Sequence, residues 1–273
     1  MDCDKIVGSE LNKRGIVMIA NYHTHTKRCH HAKGSDERYV TAAIKLGLKT
    51  LGFSDHGPWP YENGFVSPIR MTVDEAYPYF ESVKRLKEKY KDKIEIKLGF
   101  EWEYFPQHLD WLKTFARDNG LDFIILGHHY VPYEIGGEYT GRIKTPDGLH
   151  RYCENIVGAI KSGVYTYVAH PDLFMRQYES FDETAREISE IICKTAKEND
   201  IPIEYNILGL RKSRKAGKEL YPYGEFWKIA KETGNTVILG IDAHSPRQIS
   251  DKKLILQAEN FLKENNFHVI ESL

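Results

Sequence analysis

Ile16-Val17-Met18-Ile19-Ala20-Asn21-Tyr22-His23-Thr24-His25 is an apolar run that ends in two histidines one residue apart. A strand turns successive side chains to opposite faces, so His23 and His25 point the same way. Two imidazoles at that spacing grip one ion from the tip of a strand. His-x-His alone also arises by chance on exposed strands. Recurrence decides the fold: apolar runs ending in His, Asp or Glu return along the chain, separated by stretches with helical spacing.

The runs over 16–22, 49–53, 94–100, 122–126, 164–169, 201–207 and 236–241 read as strands. Helical spacing covers 36–46, 74–90, 108–118, 149–161, 181–199, 222–231 and 250–264. Pro78 is tolerated near a first turn. Ser180, followed by Glu183 three positions on, reads as an N-cap with a capping box. A short apolar stretch, Phe267-His268-Val269-Ile270, ends the pattern. Near-continuous apolar strands alternating with helices imply parallel pairing in a buried sheet. Seven such units suggest a barrel of the TIM type, with a doubly wound open sheet as the alternative. No linker interrupts them, so 16–273 reads as one domain. Residues 1–15 read as an extension outside it, with Met18 as an alternative start. The long loops 57–73 and 131–148 follow strands, and long loops in compact domains are often functional.

At 273 residues the chain is long enough for a substantial core. With net charge −1 it lacks the basic face that a broad nucleic-acid footprint needs. The sequence holds no apolar run of membrane-spanning length. The N-terminus lacks the apolar centre of a signal peptide. Cys3, Cys29, Cys153 and Cys193 are scattered and read as reduced thiols, which makes the cytoplasm the expected compartment.

Every strand of this reading ends in a potential ligand. The first ends in His23 and His25, with His30 and His31 in the next loop. The others end in Asp55-His56, Glu101 (with Glu103 beyond), His128-His129, His170-Pro171-Asp172, Glu204-Tyr205-Asn206 and Asp242-Ala243-His244. A single strand-end histidine is more often structural. In a parallel barrel, however, all strand C-termini share the face where active sites form. About six histidines with two or three carboxylates exceed the four ligands that one zinc ion takes. The set suits two or three ions of zinc, manganese or iron, bridged by a carboxylate. Metals placed together in this way serve hydrolysis and phosphoryl displacement.

These motifs resemble the PHP (polymerase and histidinol phosphatase) superfamily. The matching residues are His23-Thr24-His25, Cys29-His30-His31-Ala32, Ser54-Asp55-His56, Gly99-Phe100-Glu101, Gly127-His128-His129, Ala169-His170-Pro171-Asp172 and Asp242-Ala243-His244-Ser245-Pro246. The resemblance implies a distorted (β/α)7 TIM-like barrel with the metal site at the C-terminal strand ends. It implies three ions. His23, His25, Glu101 and Asp242 would hold the first. Glu101 would bridge to a second held by His129 and His170. His31, His56 and His244 would hold the third. His31 is preferred to His30 because the family places Ala directly after the ligand. His129 is preferred to His128 because it closes its motif. Asn21 stands where the family usually has Asp, an exchange expected to touch only the surroundings of the ligands.

Within the superfamily the chain looks most like the histidinol-phosphate phosphatases, on Ser54-Asp55-His56 with its Pro-bearing loop to Arg70-Met71, on His170-Pro171-Asp172-Leu173-Phe174, and on Asn206 with Gly209-Leu210-Arg211. That implies hydrolysis of L-histidinol phosphate by a hydroxide held between metals. Asp242 or His244 would pass a proton to the leaving alkoxide. The phosphate needs cations beyond the metals, and arginine's planar fork suits it. Arg211, Arg176 and Arg70 are candidates in that order. Glu103, Glu204 or Asp172 would pair with the substrate amine. The rival readings are a phosphoesterase or nuclease acting on a nucleotide or another small ester, and a non-catalytic metal-binding barrel.

Overall fold

The computed structural model describes residues 18–62 and 64–273. Eight strands lie side by side in chain order: β1 (Ala20–Asn21), β2 (Thr50–His56), β3 (Glu95–Trp102), β4 (Phe123–Leu126), β5 (Tyr167–Val168), β6 (Ile203–Asn206), β7 (Thr236–Gly240) and β8 (His268–Ile270). Every neighbouring pair is parallel. The helices α1 (Asp36–Leu46), α2 (Val73–Tyr90), α3 (Leu109–Asp118), α4 (Pro146–Lys161), α5 (Glu183–Glu198), α6 (Ile207–Ala216), α7 (Gly224–Thr233), α8 (Pro246–Ile249) and α9 (Lys252–Glu264) return the chain from one strand to the next. The sheet curls into a distorted barrel. The segments beyond β1 and β7 meet through a parallel bridge between Thr24 and Ala243. There the His25 N–H donates to Ala243 O at 2.9 Å and the Ala243 N–H to His23 O at 3.1 Å. Closure therefore brings the first and last ligand-bearing segments into direct contact.

The alternation of strand side chains explains which residues face the barrel axis. On β3, Leu98, Phe100 and Trp102 join the large core beneath the helices, while Glu101 faces inward. On β4, Ile124 and Leu126 face outward, while Phe123 and Ile125 join Ala20, Tyr22, Tyr167, Ala169 and Ile238 in a separate interior cluster. The inward columns thus run from apolar at the strand starts to ionisable at their C-terminal ends. Glycines make room between the two. A Cβ on Gly99 would lie 2.7 Å from the Phe123 ring, one on Gly127 2.0 Å from Glu101 Oε1, and one on Gly240 1.7 Å from Glu204 Oε1.

The helix ends follow local chemistry. Thr72 and Glu75 close a capping box on α2, and Thr145 caps α4 with Pro146 in its first turn. Several expectations need correcting. Ser180 is not a cap: Asp182 caps α5, its side chain accepting from the Ala185 N–H at 2.9 Å. The strand expected over 164–169 narrows to Tyr167–Val168. The seven-strand count misses β8, whose three residues pair with the start of β7. It also misses α6, which starts directly from β6. The loop expected over 131–148 contains the second strand of an antiparallel hairpin, Tyr130–Val131 with Glu138–Tyr139. The extension expected over 1–15 and the start of the first strand lie outside the described residues. Among the described residues no helix is long and apolar enough to cross a membrane.

Core and axis respond differently to mutation. Phe100 is fully buried against Tyr79 and Trp102, at ring separations of 5.0 and 4.7 Å. F100A is expected to lower unfolding stability by about 3–5 kcal/mol in a urea titration. G127A should instead displace Glu101 and reduce bound metal, measured by elemental analysis of the folded protein.

Candidate metal centre and catalytic cavity

Burying a carboxylate requires partners, and Glu101 at the end of β3 has five imidazoles around it. On the Oε1 side lie His170 Nε2 at 2.9 Å, His23 Nε2 at 3.4 Å and His129 Nε2 at 3.6 Å. On the Oε2 side lie His56 Nδ1 at 3.0 Å and His25 Nε2 at 3.4 Å. Asp242 Oδ1, beyond β7, lies 3.3 Å from His25 Nε2, 3.6 Å from His23 Nε2 and 3.3 Å from His244 Nδ1. His31 Nε2 approaches His244 Nε2 at 3.1 Å. All nine expected ligands are therefore contiguous, although they lie between positions 23 and 244.

The neighbours of each adjacent histidine pair separate them. His128 turns away from the centre, with Nδ1 3.3 Å from the Tyr104 N–H and Nε2 3.0 Å from Asn155 Nδ2. His30 Nε2 lies 3.2 Å from Arg70 O. His129 and His31 face the cluster.

A layer of fixed acceptors orients the rings. Glu204 Oε1 lies 2.8 Å from His23 Nδ1, and its Oε2 accepts from the His170 N–H at 3.2 Å and Asn206 Nδ2 at 2.8 Å. Glu103 Oε1 lies 3.3 Å from His129 Nδ1 and also accepts from Arg70 Nη2 at 2.6 Å. Asp55 Oδ1 lies 3.5 Å from His25 Nδ1. Asn21 donates to Thr24 Oγ1 at 2.8 Å and accepts from the Ile241 N–H at 2.8 Å, bracing the barrel seam. Backbone strain concentrates here as well. His170 (φ 31°) and Asp242 (φ 54°) occupy the left-handed region, which costs non-glycine residues about 1–3 kcal/mol each.

The residues fit divalent metal ions. His23 Nε2, His25 Nε2, His56 Nδ1, Glu101 Oε2 and Asp242 Oδ1 are buried with no hydrogen-bond partner among the described residues. Buried polar atoms are rarely left in this way, and a group of them converging on one another is what cations satisfy. Nitrogen and carboxylate donors suit zinc, manganese or iron. Burial alone would strip protons from His23 and His25. The carboxylates nearby outweigh it, chiefly Glu204 and Asp242 for His23 and Asp242 and Asp55 for His25, and hold both pKa values well above the usual histidine range. Burial opposes ionisation of Glu101 and Asp242, and the surrounding imidazoles overcome it, holding both well below the usual carboxylate range.

The cluster forms the floor of a cavity of about 620 Å³. Outside the cluster its charged walls are Arg142, Arg176 and Lys212, accompanied by Tyr130, Tyr139 and Tyr221. Arg176 lies over the Tyr139 ring at 5.8 Å. Of the three arginines expected to bind phosphate, only Arg176 lines this space. Arg211 donates from Nη1 to Asp251 at 2.8 Å, while its Nε and Nη2 are buried without partners. Arg70 does not reach the cavity. It is fully buried between Glu103, Glu134 (2.7 Å) and Gly57 O (2.9 Å), and so joins the two long loops. Glu103 and Glu204 support ligand rings and do not line the cavity wall. Asp172 accepts from the Tyr223 N–H at 2.6 Å and Trp227 Nε1 at 3.0 Å, away from the cavity. Lys212, Arg142, Tyr139 and Tyr221 were not singled out from sequence. Lys212 sits next to Arg211 in a basic run that reads as a solvated face, and the only signal was its place on the segment that follows Glu204 and Asn206.

Known proteins resemble this chain in sequence and in fold. Residues 21–207 match the family described as PHP domain. A protein of Deinococcus radiodurans named "Probable histidinol-phosphatase" is 26% identical over 238 residues, covering 85% of this chain and 88% of that one. The Bacillus subtilis protein named "Histidinol-phosphatase" is 25% identical over 252 residues, covering 81% and 92%. Among solved structures, histidinol phosphate phosphatase of Lactococcus lactis, complexed with zinc, L-histidinol and phosphate, superposes with a TM-score of 0.72. It shares 22% identity, with 93% of this chain and 95% of that one covered.

Two outcomes follow. The protons on His23 and His25 compete with metal, so affinity falls as pH falls. Calorimetric titration of zinc in buffers of different ionisation enthalpy should show proton release; heats independent of buffer would contradict it. Burial raises the Asp172 carboxyl from 3.8 to about 7, against the Tyr223 and Trp227 donors. Its contribution to stability is complete below pH 3.8 and is lost as pH rises through about 7, a change of ~4 kcal/mol. D172N should flatten the decline of Tm across that window.

Proposed function

Since the chain belongs to the PHP domain family, we propose that it is a metal-dependent phosphomonoesterase. The observation that carries this reading is Glu101, whose two oxygens each face a separate set of imidazoles on the floor of a cationic cavity. His23, His25, Glu101 and Asp242 would hold one ion. Glu101, His129 and His170 would hold a second, and His31, His56 and His244 a third. Such ions, whether zinc, manganese or iron, supply Lewis acidity and an activated water for displacement at phosphorus.

The chain's own residues bind and orient the ester. Arg176 presents a guanidinium at the wall, which suits nonbridging phosphate oxygens. Arg211, tied to Asp251 through Nη1 and with Nε and Nη2 buried, does not line this cavity. Glu103 and Glu204 hold the His129 and His23 rings in fixed orientation, so the site needs little rearrangement on binding.

L-histidinol phosphate is the first substrate proposed, on the names of the relatives. A second reading, another small phosphate ester or a nucleotide, draws on one observation. Among the described residues, the cavity wall outside the metal cluster carries no carboxylate to pair with an ammonium group. Chelation should abolish phosphatase activity, and zinc or manganese should restore it. A panel of phosphomonoesters then separates the readings: no preference for histidinol phosphate over generic monoesters would sink the specific assignment.

A further inference from the structure

Displacement of an alkoxide from phosphorus requires a proton donor, and the cluster is poorly placed to supply one. A carboxylate or imidazole occupied by a metal ion does not hold a donatable proton on the same atom, which disfavours Asp242 and His244. Arginine does not release its proton near neutral pH. Among the other cavity-lining residues, that leaves Lys212 and the tyrosines.

Lys212 stands on α6, half-buried, with Nζ donating to Tyr221 Oη at 2.9 Å. Among the described residues no carboxylate pairs with it, so its remaining N–H groups are not held by an acid. Tyr221 is almost fully buried, lines the same cavity, and its ring lies 6.3 Å from that of His170. A chain of two proton-bearing groups thus runs along the wall beside the cluster. Gly209 keeps it in place: a Cβ there would lie 2.3 Å from the Tyr221 ring, so only glycine lets α6 pack this closely.

We propose that Lys212, acting through the Tyr221 hydroxyl, is the general acid that protonates the leaving alcohol. The inference rests on the phosphomonoesterase reading. The attacking oxygen forms the new bond to phosphorus while the ester P–O bond breaks, its electron pair passing to the alcohol oxygen. That oxygen takes the proton of Tyr221, and Tyr221 takes one from Lys212. Lys212 regains a proton from solvent, which balances the one lost by the attacking water. Burial and the nearby Arg176 lower the proton affinity of Lys212, while Asp242 and Glu101 oppose the shift. Burial raises that of Tyr221, which keeps the hydroxyl protonated between turnovers.

The test compares leaving groups in the zinc-loaded enzyme. p-Nitrophenolate departs without a proton at neutral pH; an alkoxide does not. K212M should lower kcat/KM about 100-fold or more for alkyl phosphates, including histidinol phosphate, and less than about 10-fold for p-nitrophenyl phosphate. Its metal content should be almost unchanged, and K212R, which keeps the wall charge, should bind inorganic phosphate in calorimetry as the wild type does. K212R, which keeps the charge and withholds the proton, should resemble K212M on alkyl esters. Equal losses on both esters with weakened phosphate binding, rescue by K212R, or no loss at all would each overturn the assignment to Lys212 and leave the phosphatase reading standing. A wild-type enzyme that hydrolyses neither ester would overturn both.

Discussion

A carboxylate buried at the axis of a barrel must be neutralised, and the arrangement around Glu101 meets that constraint. Five imidazoles from four separate chain segments face its two oxygens. No single loop could deliver them. The parallel sheet does so because its strand ends share one face, and because the β1–β7 seam places His23 and His25 beside Asp242. The interior glycines follow from the same constraint, since side chains at 127 and 240 would occupy the space of the two buried glutamates.

Around this centre the polar groups divide by depth. Buried carboxylates (Glu103, Glu204 and Asp55) face the imidazoles from behind and fix their orientation. Arg70 completes that layer. Its ion pairs with Glu103 and Glu134 join the loop after β2 to the segment after β4, so the lengths of both loops serve the position of His129. Above the cluster the wall changes sign and carries arginine, lysine and tyrosine. Anionic floor ligands beneath a cationic wall suit a substrate that is itself an anion bridging to metal.

Much of the fold was legible because the strands are buried on both faces and read as apolar runs. The ligands were legible because each closes such a run. What escaped had little apolar signal. β8 is three residues long, with His268 and Val269 exposed, so its pairing depends on the neighbouring β7. α6 is short and basic, and the hairpin over 130–139 depends on tertiary contact. Ser180 was mistaken for a cap because Asp182, two residues on, offers the same chemistry directly before the helix. Arg70 looked like a phosphate ligand because an arginine in a long loop gives no sign of whether its partner will be a substrate or a buried glutamate.

By itself, the sequence determined the order of the strands, the type of barrel and the residue types gathered at its mouth. Those properties depend on side-chain periodicity and on which residues end each strand. Only the tertiary structure decided which of two adjacent histidines faces the centre, which arginine lines the cavity, and that Lys212 lies against Tyr221. Those outcomes depend on the direction of single side chains at the ends of elements. There the backbone leaves regular geometry and the neighbours come from distant parts of the chain.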